Sequence, residues 1–395
     1  MMSEIPEEVI QGRKILNELK KGDWPNFVRE AEKTRYPVDL YGASLALKRD
    51  LFTTGGYVSV PGAPTGILMR VTSRPDIGEN ANIVRVLIPS GNFLTSDMLD
   101  TLCELADKYG VGMIHGISTG EDVEIPGIPK EKIRDFITEL RQRGFECGST
   151  GDAFRAVTTC VGSLLCEYSN LNTAEFRDSF YDKYNDFAKF PTFPHKVKVK
   201  VSGCPIDCGR ATQKADIGIV GSWKGAPEVN QSLISKMDSE KLDNIIRSCP
   251  TGAISRHGSG ISIKGEDCTQ CMICVRNSGG AISQGREKQY LIYAGGKLRG
   301  KKGPLSGKLF TKVNSIEEAM NLIGTMVDIY GEQAARKERM GDLMFRIGMK
   351  NFLDLMKTKP QAHNAKDLRT NIFYSVNGEE RERMPEEIKK AVGGE

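Results

Sequence analysis

Hydrophobic and polar residues along the chain follow two periods, and the change between them predicts a mixed fold. The short apolar run 83–88 lies between turn-forming residues and indicates a β-strand. Residues 96–110 and 129–144 carry apolar positions at helical spacing, and Thr95 or Ser96 is the expected N-cap of the first helix. Strands and helices that alternate between glycine turns predict an α+β fold.

The strongest alternation is at residues 195–201, which read His-Lys-Val-Lys-Val-Lys-Val. On a strand, the lysines Lys196, Lys198 and Lys200 share one face and the valines share the other. The lysine face could bind an anionic ligand, or it could be a solvated strand edge that resists aggregation. Because the segment leads directly into Cys204, we favour the ligand interpretation.

A capping box at Ser315 and Glu318 predicts a long helix in the last third of the chain. Its apolar positions share one helical face, as expected for a helix that packs on a core. These positions are Ile316, Ala319, Met320, Ile323 and Val327. We therefore expect a C-terminal helical region.

The composition is that of a globular protein, with 395 residues, 39% hydrophobic residues and a net charge of +4. That charge is too small to indicate a nucleic-acid-binding protein. The sequence lacks a run of 18 apolar residues and begins without a signal-peptide pattern, so we expect a cytoplasmic protein without a membrane span. In the reducing cytoplasm, cysteine pairs are better interpreted as metal ligands than as disulfides.

Eight of the ten cysteines form two sets of four, each with the spacing of an iron–sulfur site. The first set is Cys160, Cys166, Cys204 and Cys208. Cys160 and Cys166 would lie about 240° apart on an ideal helix, so a bend at Gly162 is needed to bring both to one cluster. The loop around the other pair is bounded by glycine and contains proline, which favours an irregular wrap around a cofactor. The alternative is four unrelated buried thiols.

The second set is Cys249, Cys268, Cys271 and Cys274. Its C-x2-C-x2-C run is that of bacterial ferredoxins. Ser278 occupies the position of the fourth cysteine of such a run, so Cys249, which precedes a proline, is expected to close a single cluster. A zinc ribbon is the competing interpretation. Cys103 and Cys147 match neither set and are expected to be ordinary thiols.

Further basic residues are candidates for anion binding. Arg85 lies in an apolar strand and Arg155 lies five residues before Cys160; each could clamp an oxyanion or simply lie at a sheet edge. The loop 294–308 contains five basic residues, Lys297, Arg299, Lys301, Lys302 and Lys308, and no acidic residue. It lacks the P-loop pattern, and it is either solvated or a clamp on cofactor carboxylates.

The pattern C-x5-C followed by C-x3-C resembles that of the sirohaem-dependent sulfite and nitrite reductases. Ferredoxin-type cysteines inserted after it resemble the dissimilatory sulfite reductases, and their alpha subunit in particular. The likeness extends from residues 22–25 (Gly-Asp-Trp-Pro) through 89–91 and 115–116 to 339–342 (Arg-Met-Gly-Asp). Residues 117–120 read Ile-Ser-Thr-Gly where many sulfite reductases carry Thr-Thr-Arg. Dissimilatory alpha subunits share this departure, which implies that one site of an α/β pair is modified or silent.

The resemblance implies a sirohaem and two [4Fe–4S] clusters. In the family, the first cysteine set holds the cluster and its last member, here Cys208, bridges to the sirohaem iron. The sulfite-binding basic residues correspond to Arg85, Arg155, Lys196 and Lys198. We assign Lys200, Lys297 and Arg299, with Cys208, to cofactor binding.

The fold implied is a sirohaem sulfite reductase fold with an inserted ferredoxin-like [4Fe–4S] domain and a C-terminal helical region. We expect an N-terminal α+β domain at 1–152, a sirohaem and cluster domain at 153–222 and 290–395, and the inserted domain at 223–289. The implied partners are a homologous beta subunit in an α2β2 assembly and a small sulfur-accepting protein with C-terminal cysteines.

The implied activity is the six-electron reduction of sulfite toward sulfide, or delivery of partly reduced sulfur to the small partner. Electrons would enter at the second cysteine set and pass to the first. Three alternatives remain open at this stage: a sirohaem nitrite reductase, a non-catalytic subunit that carries electrons and scaffolds a partner, and a plain ferredoxin module. The last leaves the first cysteine set without a role.

Overall fold

The computed structural model describes residues 57–59, 65–70, 82–116, 122–299 and 303–357, with six further positions between 10 and 21. The sequence features at 22–25 and 117–120, and the lysines at 301 and 302, lie outside the described residues. The described chain divides into two compact units. The first holds the residues up to Gly151 apart from Pro89–Phe93, and the second holds Pro89–Phe93 and the residues from Asp152 onward.

The first unit is an antiparallel sheet covered by two helices. Its strands are β1 (Tyr57–Ser59), β2 (Ile67–Arg70), β3 (Asn82–Leu87), β4 (His115–Gly116), β5 (Asp122–Ile128) and β6 (Glu146–Cys147), and its helices are α1 (Ser96–Tyr109) and α2 (Ile133–Gln142). The strand order is β1-β2-β3-β5-β4, with β6 beside β3. Apolar residues of β3 and β5 pack with Leu102, Leu105, Phe136 and Leu140 of the helices, and this packing forms a core.

The second unit is built on a mixed five-stranded sheet with smaller ribbons. Its strands are β7 (Thr158–Thr159), β8 (Val199–Ser202), β9 (Ile217–Trp223), β10 (Glu228–Val229), β11 (Ile254–His257), β12 (Gly260–Ile263), β13 (Ile282–Ser283), β14 (Lys288–Ala294) and β15 (Lys308–Val313). Its helices are α3 (Thr173–Lys189), α4 (Ala211–Lys214), α5 (Gln231–Ile234), α6 (Ser239–Arg247), α7 (Ile273–Asn277), α8 (Ile316–Gln333), α9 (Met340–Ile347) and α10 (Met349–Leu355). Short 3-10 turns occupy Ser90–Asn92, Lys130–Lys132 and Gly162–Leu164.

The large sheet of this unit has the order β15-β14-β9-β8-β7. Strands β7, β8 and β9 are parallel, whereas β14 and β15 are antiparallel to their neighbours. The valines of the alternating segment, Val197, Val199 and Val201, lie in the main core together with side chains of α3 and α8. The predicted valine face is therefore buried, although the strand itself is shorter than the alternation and begins at Val199.

Residues between β9 and β14 have a core of their own. The two ribbons, β10 with β13 and β11 with β12, pack with α5, α6 and α7 around Trp223, Ile234, Leu242, Ile254 and Ile282. The architecture as a whole is α+β, as predicted. None of the helices in the described part of the chain is both long and apolar enough to cross a membrane.

Candidate functional site

Two parallel strands bring the first cysteine set together. Cys160 follows β7 and Cys204 lies just after β8, and these strands are paired side by side. The backbone N–H of Cys160 donates to the carbonyl of Val201 at 3.0 Å, which fixes the end of one strand against the other. Adjacent parallel strands end at the same sheet edge, so the two cysteines lie at that edge.

Two glycines make room for the turn that carries Cys166. Gly162 has φ +50°, and a Cβ built there would lie 1.9 Å from the Thr173 hydroxyl. A Cβ on Gly203 would lie 2.1 Å from the Ser169 hydroxyl. Any larger residue at either position would have to displace the chain. The structure has the predicted bend at Gly162, which begins a 3-10 turn and whose carbonyl accepts a hydrogen bond from the Cys166 N–H at 2.8 Å.

Asp207 shapes the loop that ends at Cys208. Its backbone is left-handed, with φ 57°, and its carboxylate accepts hydrogen bonds from the Ser202 hydroxyl at 2.7 Å and the Thr212 hydroxyl at 2.6 Å. A second loop residue, Arg210, is also left-handed. These bonds join the end of β8 to the start of α4 and leave the Cys208 thiol exposed.

The four thiols of the first set are close enough to influence one another electrostatically. Burial raises the pKa of Cys204 to about 11, and the charges of Cys166, Cys160 and Cys208 add to that rise. The Sγ atom of Cys160 accepts a hydrogen bond from the Gly203 N–H at 3.1 Å, a contact that opposes the rise for its own thiol. The structure therefore places all four predicted residues at one locus.

The second set lines a single apolar cavity. Cys249, Cys268, Cys271 and Cys274 all contribute to its wall, together with Ile254, Ile263, Met272 and Trp223 among others. Gln270 and Met272 have φ of 55° and 69°, so the chain coils around the cavity rather than continuing as a helix. Burial raises the pKa of Cys268 to about 11 and that of Cys274 to about 12. A cation between the thiols would offset the cost of ionising them there.

Ser278, which replaces a ferredoxin cysteine, has a structural role. Its hydroxyl donates to the carbonyl of Val275 at 3.0 Å and accepts from the N–H of Ile282 at 2.9 Å. The side chain thereby links the end of α7 to β13 inside the core. The two unassigned cysteines lie apart from both sets, since Cys103 is exposed on α1 and Cys147 is buried in the core of the first unit.

Zinc was the competing interpretation of the second cysteine set. In the chain as described, no three Cys, His, Asp or Glu side chains converge as ligands of a single metal ion. A structural zinc site requires four such ligands at about 2.0–2.3 Å from one ion. The four thiols of the second set line one cavity.

Three of the predicted basic residues are neighbours. The backbone of Arg155 pairs with that of Val197, which places Arg155 beside the lysine segment. Burial lowers the pKa of Lys196 to about 8, and the positive charges of Arg155, Arg339 and Lys198 lower it further. Half-buried cations that repel one another are poised to receive an anion.

A buried ion pair supports this cluster, and sequence reasoning missed it. The carboxylate of Asp216 is fully buried and accepts two hydrogen bonds from Arg339, at 2.9 and 2.6 Å. The same carboxylate accepts the backbone N–H of Lys198 at 2.8 Å. Asp216 therefore positions both Arg339 and the lysine segment. In the sequence, only Arg339 of this pair was singled out, as part of the segment 339–342 that carries the family resemblance.

A cavity of about 690 Å³, called the basic cavity below, has His195 and Lys196 of the lysine segment in its lining. Its lining residues are His195, Lys196, Arg299, Ala335, Arg336, Lys337, Glu338, Arg339, Asp342, Phe345 and Arg346. Six of these are lysine or arginine and two are acidic. The lysine segment runs on from this basic cavity through β8 to Cys204, so one continuous stretch of chain connects the cationic cavity wall to the first cysteine set.

The remaining predicted residues occupy different environments. Lys200 is buried within β8, and exposed Arg299 lines the basic cavity. Lys297 is fully buried rather than solvated, and its ammonium group lies 2.6 Å from the carboxylate of Asp342 in the cavity wall. Arg85 belongs to the first unit, where its guanidinium donates two hydrogen bonds of 3.1 Å to Glu124. Their roles toward a cofactor or substrate stay predictions.

Comparison with known proteins places these features in a family. A model described as the nitrite and sulphite reductase 4Fe-4S domain matches residues 150–363, and one for the nitrite/sulfite reductase ferredoxin-like half domain matches residues 77–143. The dissimilatory-type sulfite reductase subunit alpha of Allochromatium vinosum is 30% identical, over 92% of this chain and 94% of its own length. This chain belongs to the nitrite and sulfite reductase family, as a dissimilatory-type alpha subunit.

Two further similarities extend this result. A crystal structure of dissimilatory sulfite reductase I superposes with a TM-score of 0.76 at 23% identity, over 93% of this chain and 95% of the other, which shows that the fold is shared. The dissimilatory-type subunit beta of Nitratidesulfovibrio vulgaris is 24% identical, over 78% of this chain and 85% of its own length. The family thus contains both subunit types. Both cysteine sets lie within the matched 4Fe-4S domain.

Proposed function

We propose that this oxidoreductase subunit reduces sulfite toward sulfide. The reaction consumes six electrons and releases the sulfite oxygens as water, so it needs a site that both holds an oxyanion and supplies protons. The observation that carries the proposal is the cluster of Arg155, Lys196 and Lys198: Arg155 pairs with Val197, and the two lysines lie in the segment that leads into the first cysteine set. Preorganised donors in a water-poor site stabilise developing negative charge.

The donor sets fit the cofactors that the family implies. Cys160, Cys166, Cys204 and Cys208 would hold a [4Fe–4S] cluster, and the exposed Cys208 would be the residue of this set that also contacts the sirohaem. Sirohaem carries many carboxylates, which the cationic wall of the basic cavity would hold. In this proposal, sirohaem binding also involves Lys200, Lys297 and Arg299. Lys297 acts indirectly, because its ion pair holds Asp342 in the cavity wall. When bound, sirohaem and its cluster would relay electrons from an external electron donor to sulfite.

A second [4Fe–4S] cluster, held by Cys249, Cys268, Cys271 and Cys274, would provide the entry point for electrons. Support comes from packing between the two cysteine regions. Tyr168 and Ile206, which adjoin the first set, pack on the same core as Cys249 and Cys274 of the second. This shared core links the chain beside the first cysteine set to the chain around the second, which supports electron transfer between them. We therefore propose that residues 223–289 act as a ferredoxin-like domain inserted between 153–222 and 290–395, with 1–152 as a separate domain.

Metal content tests the proposal. Anaerobically purified protein should contain roughly nine iron atoms per chain, from two four-iron clusters and one haem iron. It should show sirohaem absorption bands that shift when sulfite is added. Cys271→Ser should lower the iron content to about five, whereas Cys103→Ser, at an exposed thiol outside both sets, should leave it unchanged. About four iron atoms without a macrocycle would refute the reductase proposal.

The pH dependence of sulfite turnover should report on Lys196. Because its pKa is lowered to about 8, the ammonium form is lost as the pH rises through that value. Turnover should therefore decline above about pH 8. Lys196→Arg should remove this decline, since a guanidinium stays protonated throughout the range. An identical decline in the arginine variant would assign the titration to another group.

One alternative has a specific observation behind it. Arg85 is engaged by Glu124 and lies 3.7 Å from the carboxylate of Asp122, which suits a structural role as much as an oxyanion clamp. A site without Arg85 could be silent, and the chain would then carry electrons and scaffold an active partner. Eight iron atoms with an iron-free macrocycle and no sulfite-induced band shift would establish that role.

We also propose a homologous beta subunit as partner in an α2β2 assembly, on the strength of the related beta chains in the family. A small protein with C-terminal cysteines would accept partly reduced sulfur. We propose a cytoplasmic setting, where reducing conditions keep cysteines available as metal ligands. Comparing turnover of sulfite and nitrite, with and without the beta subunit, separates sulfite reduction from nitrite reduction.

A further inference from the structure

Trp223 occupies an unusual position beside the second cysteine set. It ends β9, is only 1% exposed, and lines the same cavity as Cys249, Cys268, Cys271 and Cys274. It is also part of the core formed by the residues between β9 and β14. A tryptophan side chain has one polar group, the indole N–H, which acts only as a donor.

That indole N–H has no acceptor among the described residues. Its nitrogen is buried and makes no hydrogen bond. A buried donor left without an acceptor costs free energy, and most such groups in folded proteins are satisfied. Two polar side chains near the second cysteine set are satisfied: the Gln270 amide donates to the carbonyl of Gly225 at 3.1 Å, and Ser278 makes the bonds described above. The hydroxyl of Ser222, the residue before Trp223, is also buried without a partner, but Ser222 does not line the cavity that Trp223 shares with the cysteines.

The space around the pyrrole edge of the indole is defined by Gly285. A Cβ built on Gly285 would lie 2.4 Å from Cδ1 of Trp223, the carbon bonded to the indole nitrogen. A side chain at position 285 would therefore displace the ring. The close packing against Gly285 holds the indole ring in place, and the same ring lines the cavity that the four cysteines share.

We propose that the indole N–H of Trp223 donates a hydrogen bond to a sulfur of the [4Fe–4S] cluster bound by the second cysteine set, and thereby raises the reduction potential of that cluster. This inference rests on the proposed second cluster. Reduction adds negative charge to the cluster and its sulfurs, and a hydrogen-bond donor favours the more negative state. Trp223 is thus a positioning and tuning residue for electron entry, rather than a ligand.

A redox titration of the holoenzyme followed by electron paramagnetic resonance tests the inference. In Trp223→Phe, the aromatic volume is largely kept and the donor is removed. The equilibrium constant for reducing this cluster should fall by up to about tenfold, equivalent to about 59 mV for one electron. Trp24→Phe removes the other of the two tryptophans and should leave the potential unchanged. An unchanged potential in Trp223→Phe with full iron content would overturn the hydrogen bond and leave the proposed second cluster in place.

A second measurement does not depend on the stability of the Trp223 variant. In Trp24→Phe, Trp223 is the sole tryptophan, so indole-15N labelling marks a single nitrogen. Pulsed electron–nuclear spectroscopy of the reduced protein should then detect a 15N coupling to the second cluster. Absence of that coupling would overturn the hydrogen bond while leaving the cluster in place. Iron content showing one cluster only would instead refute the second cluster, and the inference with it.

Discussion

Lys198→Ala is expected to lower sulfite turnover by about 10²- to 10³-fold, the cost of removing one preorganised donor to a developing anion. The side chain belongs to the cationic cluster that surrounds Lys196. The backbone N–H of Lys198, which donates to Asp216 at 2.8 Å, remains in the variant. The local fold and the cofactor absorption bands should therefore be retained. Steady-state sulfite reduction with a chemical electron donor, normalised to sirohaem absorbance, measures the effect.

A matched control separates this effect from a general loss of positive charge. Lys350 is an exposed lysine of α10 outside the lining of the basic cavity, and Lys350→Ala should keep full turnover. If Lys198→Ala retained the turnover of the unmodified protein, Lys198 would have no catalytic role. If both variants lost turnover equally, the overall field of the protein rather than the local cluster would be responsible.

Local features of the fold could be predicted from the sequence because they depend on neighbouring residues. The capping box is an example: the N–H of Glu318 donates to the Ser315 hydroxyl at 3.1 Å and α8 begins at Ile316, as predicted. The carboxylate of Glu318 accepts from the N–H of Asn314 at 2.8 Å, one residue before the usual partner. In the same way, the geometry that two cysteines require at Gly162 predicted its bend.

Contacts between distant parts of the chain were harder to predict. The alternation at 195–201 predicted two faces but not what the lysine face would meet, because Asp216 and Arg339 come from elsewhere in the sequence. Lys297 illustrates the same limit. A loop rich in basic residues suggests solvent exposure or ligand binding, yet this lysine is buried against Asp342, 45 residues further on. Such pairs form only after the sheet and α9 have packed.

The spacing of the cysteines along the chain was enough to group them into two sets, because the loops that carry them are short and tightly turned. The two cysteine sets could be recognised because loops around a multi-atom cofactor need fixed spacings and left-handed positions, here at Gln270 and Met272. Trp223 carries no such signal. Its relation to the second set depends on where β9 ends relative to a loop some 45 residues later, which only the folded chain shows.

Arg339→Met is expected to lower the free energy of unfolding by about 3–5 kcal/mol, because it leaves the buried carboxylate of Asp216 without its bidentate partner. Urea unfolding of equally loaded proteins measures the change. Arg346→Met is the matched control in the wall of the same cavity. The Arg346 side chain, which pairs with Glu338, is about half exposed, so a smaller change is expected there.

A double variant distinguishes an unpaired charge from lost packing. Asp216→Asn combined with Arg339→Met removes both charges while the asparagine oxygen can still accept the Lys198 N–H, so part of the stability should return. Loss of the Arg339 charge should also raise the pKa of Lys196, on which that charge acts. The decline of turnover with pH should then shift upward in Arg339→Met. Equal destabilisation in the single and double variants would mean that the arginine acts through packing, and an unmoved pH profile would separate Arg339 from the lysine cluster.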